Sequence, residues 1–419
     1  MIPPLPAGSD DGDGPLSDLL VVDLSRVLAG PYATMLLADL GARVIKVERP
    51  GVGDDTRRWG PPFVGPADDP ESAYFLAANR NKESIALDFG APGDRAVLLR
   101  LIARADVVVE NFRPGALARH GLDPETLRRR HPRLVVLSVS GFGPDGPDAG
   151  RPGYDHILQG EGGLMSVTGP GPGQPVRIGV PVVDILAGTF GALGVLAALH
   201  QRERTGEGQL VHSSLLGAAV ASHVYQGTRW LLAGEVPVPL GNRHPTIVPY
   251  GAFRCGDRLI QIAVGTQPMW ARFADLLGLE AADPRFRRNQ DRVVHVEVLT
   301  QAIEARLASR PVETWLRDLG AAGIPCGEIR SLDQVYASAQ VAAQGLVVTV
   351  DHPTLGPIRL PGPPLRLPRR RTRHRPPPRL DEHGAAIRRW LGTDQGAGMP
   401  PPAGAAPDLP APPPVDAAG

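Results

Sequence analysis

The chain has little cysteine, since Cys255 and Cys326 are the only two in 419 residues. Two cysteines are too few for a disulfide framework, so the composition predicts a reducing, cytoplasmic location. The chain also lacks net charge, because 44 Lys and Arg residues balance 44 Asp and Glu residues. This balance gives no reason to expect a nucleic acid or an anionic membrane as partner.

Three further signals are missing. The N-terminal residues lack the basic and apolar regions of a signal peptide. The histidines do not show metal-ligand spacing, which argues against a metal site. The turn of the first strand–helix–strand unit, residues 25–31, contains no Gly-x-Gly-x-x-Gly, and the chain has no P-loop. These absences argue against NAD or ATP as the ligand.

What the chain does contain is an alternation of apolar strand patterns and helix patterns. The strand patterns occupy residues 19–24, 42–48, 106–110 and 134–139, and the helix patterns occupy residues 31–40, 94–105 and 124–130. Such alternation predicts an α/β fold whose large domain has a parallel, Rossmann-like sheet. A strand-rich unit that begins near residue 249 predicts a second, smaller α+β domain.

Shifts in composition predict where these parts begin and end. The predicted divisions are a disordered N-terminus (1–17), a large Rossmann-like domain (18–210), a helical linker (211–240), a small α+β domain (241–345), a segment that returns to the large domain (346–393) and a disordered tail rich in Pro, Ala and Gly (394–419).

Asp184 stands out because it is the only formal charge within residues 179–199. An ionised carboxylate in apolar surroundings is costly, so one that persists is usually paired, capping or functional. Asp184 lies between a strand-like run and a long helix pattern, where Asp is among the best N-cap residues. The helix pattern carries Gly188, Gly191 and Gly194 at three-residue spacing, which predicts a buried helix that another element approaches closely.

Short motifs follow one another in a fixed order along most of the chain. They are residues 22–31 (VDLSRVLAGP), 40–51 (LGARVIKVERPG), 53–57 (GDDTR), 79–88 (NRNKESIALD), 109–115 (VENFRPG), 153–159 (GYDHILQ), 183–188 (VDILAG), 204–209 (RTGEGQ) and 323–327 (GIPCG). The ordered set resembles the family III CoA-transferases, the group typified by formyl-CoA transferase and carnitine CoA-transferase, with 2-methylacyl-CoA racemase as a relative. The resemblance covers roughly residues 18–393.

The resemblance implies that Asp184 is a nucleophile that attacks an acyl-CoA thioester and becomes an aspartyl mixed anhydride. This chemistry is reasonable because thioesters are reactive and the thiolate, from a thiol with a pKa of about 8.5, is a good leaving group. A helix N-terminus and glycine N–H groups can stabilise the developing oxyanions. Gly160, Gly162 and Gly163 are candidates for that role, and the alternative is an ordinary flexible turn.

The resemblance also implies a site for coenzyme A in the large domain. Arg49 would stack on the adenine and Arg119 would pair with the phosphates, both of which suit a planar guanidinium. The alternative for each is a solvated surface arginine. Asn111 and Phe112 follow the end of a predicted strand, where open α/β sheets bind ligands, although Phe112 could equally be a core aromatic residue.

Val27 and Tyr154 would line the channel for the pantetheine arm and the thioester, although Tyr154 could equally lie in the core. Two positions depart from the family pattern. Leu28 stands where formyl-CoA transferase has a glutamine, which argues against oxalate/formate exchange. Tyr154 stands where the racemase has a histidine, and tyrosine, with a pKa of about 10, is a poor base near neutral pH. His156 would point the same way as Tyr154 in an extended segment, which weakens the racemase alternative without excluding it.

The sequence therefore predicts an acyl-CoA:carboxylate CoA-transferase that works by a ping-pong route through Asp184. The expected partners are an acyl-CoA, a carboxylic acid and a second copy of the chain in an interlocked homodimer, with no permanently bound cofactor and no metal. Two alternatives stay open. One is a 2-methylacyl-CoA racemase or epimerase, and the other is a catalytically silent CoA-binding scaffold.

Overall fold

The computed structural model describes residues 14–256, 258–367 and 373–392. Within them the strands are β1 (Leu20–Asp23), β2 (Arg43–Glu48), β3 (Phe63–Val64), β4 (Glu71–Ser72), β5 (Lys82–Ala86), β6 (Val107–Glu110), β7 (Val135–Ser140), β8 (Leu210–Ser214), β9 (Tyr250–Cys255), β10 (Arg258–Ala263), β11 (Cys326–Glu328), β12 (Val347–His352) and β13 (Gly356–Pro361). The helices are α1 (Ala29–Asp39), α2 (Ala73–Ala77), α3 (Pro92–Ile102), α4 (Pro124–Arg130), α5 (Asp155–Glu161), α6 (Leu164–Val167), α7 (Val182–Thr205), α8 (Leu215–Ala221), α9 (Val224–Ala233), α10 (Gln267–Leu277), α11 (Asn289–Val294), α12 (Val296–Leu307), α13 (Val312–Ala321), α14 (Leu332–Tyr336), α15 (Ala339–Ala343) and α16 (Gly384–Gly392). Short 3-10 helices lie at Asp55–Arg58 and Ala118–His120.

The main sheet has the strand order β5-β2-β1-β6-β7-β8, and each pair of neighbouring strands is parallel. The chain builds from β1 through β2 to β5 on one side, and then from β6 to β8 on the other. The strand order therefore reverses between β1 and β6, and open α/β sheets bind ligands beside the carboxyl ends of the strands at such a point. The predicted α/β fold with a Rossmann-like parallel sheet is confirmed.

The strands of the main sheet are apolar because helices cover both of its faces. All four residues of β1 are buried. Side chains alternate between faces along a strand, so Val21 packs with α1, α7 and α8 while Leu20 and Val22 pack with α3, α4 and α16. A separate apolar core joins the antiparallel strands β9, β10 and β11 to α10, α12 and α13 in a smaller α+β unit.

The long apolar helix α7 begins at Val182, earlier than the predicted start at Ile185. Val182 and Val183 are β-branched and resemble the end of a strand, which explains the error. The backbone N–H of Val183 instead donates to Asp155 Oδ1 at 2.9 Å. Asp184 therefore lies in the first turn of α7 and is not its N-cap residue, which is Pro181.

The three glycines of α7 explain how this helix packs. A Cβ at Gly188 would lie 2.5 Å from the carbonyl oxygen of Ala29, and Cβ atoms at Gly191 and Gly194 would lie 2.9 Å and 2.6 Å from Leu137 and Val211. The elements that approach the glycine face are therefore α1, β7 and β8 of the same chain. By length and composition α7 could cross a membrane, and half of its most apolar window is buried inside the structure.

Both edge strands of the main sheet are absent from the sequence prediction. β8 begins at Leu210, so the boundary predicted at residue 210 falls inside a strand that pairs with β7, and the predicted linker starts too early. β8 is a half-buried edge strand with little apolar pattern. β5 reads Lys-Glu-Ser-Ile-Ala, a polar sequence, yet all five residues are buried, and its two charged residues pair with Asp23 and Arg43.

The ends of the described chain pack against the large domain. Residues 14–17, which the sequence places in a disordered N-terminus, form a turn in which Leu16 N–H donates to Leu40 O at 3.0 Å. Residues 1–13 and the predicted disordered tail at 394–419 lie outside the described residues. In the return segment, Asp381 Oδ1 accepts from Ala86 N–H at 2.8 Å and His383 N–H donates to Ser84 O at 3.0 Å, which covers the edge strand β5.

Candidate active site

Two cavities open beside the carboxyl ends of the parallel strands. The Asp184 cavity, of about 210 Å³, is lined by the loops that follow β1, β6 and β7, by residues 149–154 and by Asp184 itself. The Arg49 cavity, of about 400 Å³, is lined by the loops that follow β2 and β5 and by residues 119–120. Arg26 and Phe112 belong to the walls of both, and the Arg26 guanidinium lies 5.2 Å from the centroid of the Phe112 ring. This cation–π pair marks the place where the two cavities meet.

Asp184 is placed at the inner wall of its cavity by the first turn of α7. Its residue surface is only 8% exposed. No hydrogen bond or ion pair reaches its carboxylate from the residues that the structure describes. Such isolation is unusual, because buried carboxylates normally find a partner.

The N-terminus of α7 is capped by a different carboxylate, that of Asp155. Asp155 Oδ1 accepts from Val183 N–H, and Asp155 Oδ2 accepts from Gln159 Nε2 at 2.7 Å. Gln159 in turn accepts from Ile178 N–H at 2.8 Å. Asp155 and Gln159 therefore hold the segment that leads into α7, and Asp184 is left without a capping role.

Burial is the main reason that the pKa of Asp184 is raised, to about 7, and the negative charge of Asp155 adds to the effect. Burial also raises the pKa of Tyr74, to about 12, with contributions from the charges of Asp184 and Asp155. The ring of Tyr74 makes an edge contact with Trp59. The sequence analysis singles out neither Asp155 nor Tyr74 as a functional residue. Asp155 does, however, lie within the family motif at residues 153–159.

Tyr154 lines the Asp184 cavity and is 57% exposed, so it is not a core aromatic residue. The prediction for His156 is wrong in its premise. Residues 155–161 form helix α5, which begins directly after Tyr154, so Tyr154 and His156 do not share an extended segment. His156 is exposed and does not line the Asp184 cavity.

The loop after β1 forms one wall of the Asp184 cavity and contains Val27 and Leu28. Asn111, in the loop after β6, holds this wall through two hydrogen bonds to the backbone of Arg26. Its Oδ1 accepts from Arg26 N–H at 2.9 Å, and its Nδ2 donates to Arg26 O at 2.7 Å. The structure therefore brings Val27, Leu28, Asn111, Phe112 and Asp184 to one cavity.

Arg49 and Arg119 both line the Arg49 cavity, and both are exposed. Gly160, Gly162 and Gly163 do not line either of these two cavities. Gly162 instead ends α5 and packs against Ala219, and Gly163 adopts a φ of 83° at the start of α6. Gly162 and Gly163 thus belong to the junction between α5 and α6.

Three arginines also reach the Asp184 cavity, although the sequence patterns did not point to them. They are Arg26, Arg113 and Arg151. Arg151 is held by Glu161, with a shortest distance of 2.6 Å, and Arg26 donates to Asp55 at 2.9 Å. Guanidinium groups of this kind can pair with a carboxylate. Among the described residues no group of three or more His, Cys, Asp or Glu side chains is arranged to hold a metal ion.

Comparison with known proteins shows similarity along most of the chain. The sequence model of CoA-transferase family III matches residues 16–384. Succinyl-CoA:glutarate CoA-transferase of Mus musculus is 41% identical over 396 residues, which are 94% of this chain and 90% of that protein. Acetyl-CoA:oxalate CoA-transferase of Acetobacter aceti is 39% identical over 381 residues, which are 90% of this chain and 95% of that protein. Among solved structures, a CAIB/BAIF family protein from Brucella suis is 39% identical with a TM-score of 0.81, and the match covers 90% of this chain and 100% of that one.

Proposed function

Because the chain belongs to CoA-transferase family III, we propose that Asp184 is the residue through which it transfers coenzyme A from an acyl-CoA donor to a carboxylic acid. The observation that carries the proposal is the isolation of this carboxylate. Asp184 is buried at the wall of a cavity, and no described residue neutralises or hydrogen-bonds it. A carboxylate without donors retains the electron density that a nucleophile needs.

The first step is attack by a carboxylate oxygen of Asp184 on the thioester carbonyl carbon. A C–O bond forms, the C–S bond breaks and the CoA thiolate leaves with the electron pair. The product is a mixed anhydride between Asp184 and the acyl group. The raised pKa of Asp184 makes its carboxylate a better nucleophile than an ordinary aspartate, at the cost of a smaller ionised fraction below pH 7.

The mixed anhydride has two carbonyl carbons, and this symmetry permits the exchange. If the thiolate attacks the acyl carbon, the donor is regenerated. If it attacks the Asp184 carbon, the first carboxylic acid leaves and CoA is held on Asp184 as a thioester. The acceptor carboxylate then takes CoA by the same steps in reverse order, and Asp184 is regenerated. No proton or electron has to be supplied from outside.

Coenzyme A would occupy both cavities, since its nucleotide and its thioester are far apart. The Arg49 cavity suits the nucleotide, with Arg49 against the adenine and Arg119 against the phosphates. The pantetheine arm would then pass the Arg26–Phe112 pair and bring the thioester to Asp184. Coenzyme A is therefore a substrate here, and the proposal includes no permanently bound cofactor.

The acceptor and the acyl group would be those of dicarboxylic acids. The similar enzymes of Mus musculus and Acetobacter aceti are named for glutarate and oxalate. Arg113 at the Asp184 cavity offers a partner for a second carboxylate, whereas Arg26 and Arg151 already pair with Asp55 and Glu161. A panel of acceptors tests this point. Glutarate should be used with a higher kcat/KM than butyrate, which has the same carbon chain beside the reacting carboxylate but lacks the second carboxylate. Equal use of the two acids would contradict it.

The position of Tyr154 also distinguishes the transferase from the racemase alternative. A racemase needs a second base opposite Asp184, and the aromatic residue at that wall is a tyrosine while His156 lies outside the cavity. No observation on the structure favours racemisation. Absence of isotope exchange at the α-carbon of a 2-methylacyl-CoA would agree with transfer alone.

A trapping experiment tests the nucleophile directly. Incubation with an acyl-CoA and hydroxylamine should convert Asp184 to a hydroxamate that mass spectrometry locates in the 178–202 region. Asp184→Ala should remove this label and lower transfer by at least about 1000-fold while keeping most of the CoA affinity. Near wild-type activity in Asp184→Ala would contradict the assignment.

The nucleotide site has its own test. Arg49→Ala and Arg119→Ala should each raise the KM for acyl-CoA by about 10- to 150-fold, the effect of losing one charge-assisted hydrogen bond. Arg204→Ala, which removes an exposed arginine at the far end of α7, serves as the control. An unchanged KM in both cavity variants would contradict the placement of the nucleotide.

We propose further that the enzyme is a cytoplasmic homodimer with interlocked subunits. Helix α9 buries none of its residues in the single chain, and Trp230, Leu231 and Leu232 are 55%, 77% and 85% exposed. Contiguous exposed apolar surface of this kind usually marks an interface. Light scattering and mass photometry should report the dimer mass down to nanomolar concentration, and a stable, active monomer would overturn the proposal.

A further inference from the structure

Val27, in the wall of the Asp184 cavity, has an unusual backbone conformation. Its φ is 70°, in the left-handed region, which only four non-glycine residues among the described ones adopt. Valine is poorly suited to this region because its β-branched side chain clashes with the backbone. Such a conformation persists only where the surroundings enforce it, and it often marks a functional position.

The surroundings that enforce it are hydrogen bonds from two different loops. The N–H of Val27 points between the two carboxylate oxygens of Asp54, at 3.2 Å and 3.3 Å. The preceding residue, Arg26, is held by Asn111, which accepts a hydrogen bond from its backbone N–H and donates one to its carbonyl oxygen. The loop after β1 is thus fixed by the loop after β2 and by the loop after β6 at once.

Asp54 is itself rigidly held. It is 1% exposed, and its carboxylate forms an ion pair of 2.9 Å with the buried ammonium of Lys46. The same ammonium donates to the carbonyl oxygen of Ser25 at 2.9 Å. Asp54 Oδ1 also accepts from the backbone and hydroxyl of Thr56. Lys46 therefore neutralises Asp54 and also binds Ser25, at the start of the loop after β1 that contains Val27.

The consequence of the fixed loop appears at the nucleophile. Directly after Val27, Leu28 lines the Asp184 cavity and Ala29 begins α1. The carbonyl of Ala29 lies against Gly188, one helical turn after Asp184 on α7. The turn at Val27 therefore sets both the cavity wall that faces Asp184 and the point where α1 meets the helix that carries Asp184.

We propose that Asp54, paired with Lys46, is a positioning residue that holds Val27 in the left-handed conformation and so fixes the cavity wall opposite Asp184. The inference rests on the proposed role of Asp184 as the nucleophile. Asp54 also lines the Arg49 cavity, but its carboxylate accepts from Val27 N–H and from Thr56 and pairs with Lys46, so we expect it to act through the loop. Its replacement should slow formation of the mixed anhydride by a larger factor than it weakens CoA binding.

The test compares two substitutions of Val27 in the presence of Asp54→Asn. Asp54→Asn alone should slow hydroxamate labelling of Asp184 by about 5- to 150-fold, the range that corresponds to backbone strain of this kind. Glycine adopts the left-handed region without strain and alanine does not, although both remove the valine side chain. Val27→Gly should therefore restore labelling in the Asp54→Asn enzyme, and Val27→Ala should restore less.

Each outcome bears on the inference. Labelling at the wild-type rate in Asp54→Asn would overturn it, and so would equal recovery by Val27→Gly and Val27→Ala, which would show that Asp54 acts only on global stability. If Asp54→Asn fails to fold, Val27→Gly and Val27→Ala in the otherwise unchanged enzyme decide. Glycine keeps the left-handed conformation without strain and alanine does not, so labelling should be slower in Val27→Ala than in Val27→Gly, and equal labelling rates in the two variants would overturn the inference. Absence of labelling in the unsubstituted enzyme would instead overturn the proposed role of Asp184 and this inference with it.

Discussion

Asp23 and Asp184 are both buried aspartates near the carboxyl edge of the main sheet, but their surroundings are opposite. Asp23, at the end of β1, accepts hydrogen bonds from Lys82 Nζ at 3.1 Å, Thr34 Oγ1 at 2.7 Å and Ser25 Oγ at 2.5 Å. Burial alone would raise its pKa, but the charges of Lys82 and Lys46 and these hydrogen bonds lower it to about 2. Asp184 has no such donors among the described residues, and burial together with Asp155 raises its pKa to about 7.

The comparison teaches that burial by itself does not decide what a carboxylate does. The number of donors directed at it does. A carboxylate saturated with donors stabilises the fold and is a poor nucleophile, because its lone pairs are already engaged. A carboxylate deprived of donors costs stability and remains reactive, which is the arrangement expected of a functional site.

The largest effect on folding should come from Asp23→Asn. This change removes the charge opposite the buried Lys82 and should lower the free energy of unfolding by about 3–5 kcal/mol at pH 7. Because the folded-state pKa of Asp23 lies below its ordinary value, its contribution is present above pH 4 and is lost as the pH falls toward 2. Urea unfolding at pH 7, with the exposed Asp18→Asn as the control, measures the difference; an unfolding free energy equal to that of the control would remove the contrast between the two carboxylates.

Asp184→Asn should have the opposite effect on stability. The folded-state pKa of Asp184 lies above its ordinary value of 3.8, so the folded protein loses stability as the pH rises from about 4 to 7. Asparagine removes this loss and should raise the free energy of unfolding at pH 8 by at most about 4 kcal/mol, with little change at pH 4. Thermal unfolding across this pH range checks the sign, and a lower Tm at pH 8 would mean that the carboxylate has a partner in solution.

The smallest expected effect belongs to Asp155→Asn, which removes the negative charge beside Asp184 but keeps an oxygen that can accept from Val183 N–H. The pKa of Asp184 should then fall, so the ionised fraction of Asp184 at pH 6 should increase. The acid limb of the pH profile of kcat/KM should move to lower pH. Glu207→Gln, at an exposed position just beyond α7, should leave the profile in place. An acid limb that does not move in Asp155→Asn would show that this limb reports another group.

Local patterns were sufficient for much of the fold, whereas the choice of Asp184 as the nucleophile rested on the family motifs as well. The apolar runs of β1, β2, β6 and β7 predict buried parallel strands because both faces of such a sheet are covered by helices. The same patterns miss β5, whose buried Lys82 and Glu83 look like surface residues until their partners are known. They also assign the start of α7 to a strand, because Val182 and Val183 favour β structure when considered alone.

By itself the sequence determined that one carboxylate would be buried in an apolar stretch at the start of a long helix. It also determined the alternation of strands and helices that brings the loops after β1 and β6 together. Only the tertiary structure decided that Asp155, 28 residues from Val183, caps that helix in place of Asp184. It likewise decided that Lys82, 59 residues from Asp23, neutralises the other buried acid. Burial follows from local hydrophobic patterns, whereas the pairing of polar groups depends on which distant residues the fold brings within hydrogen-bond distance.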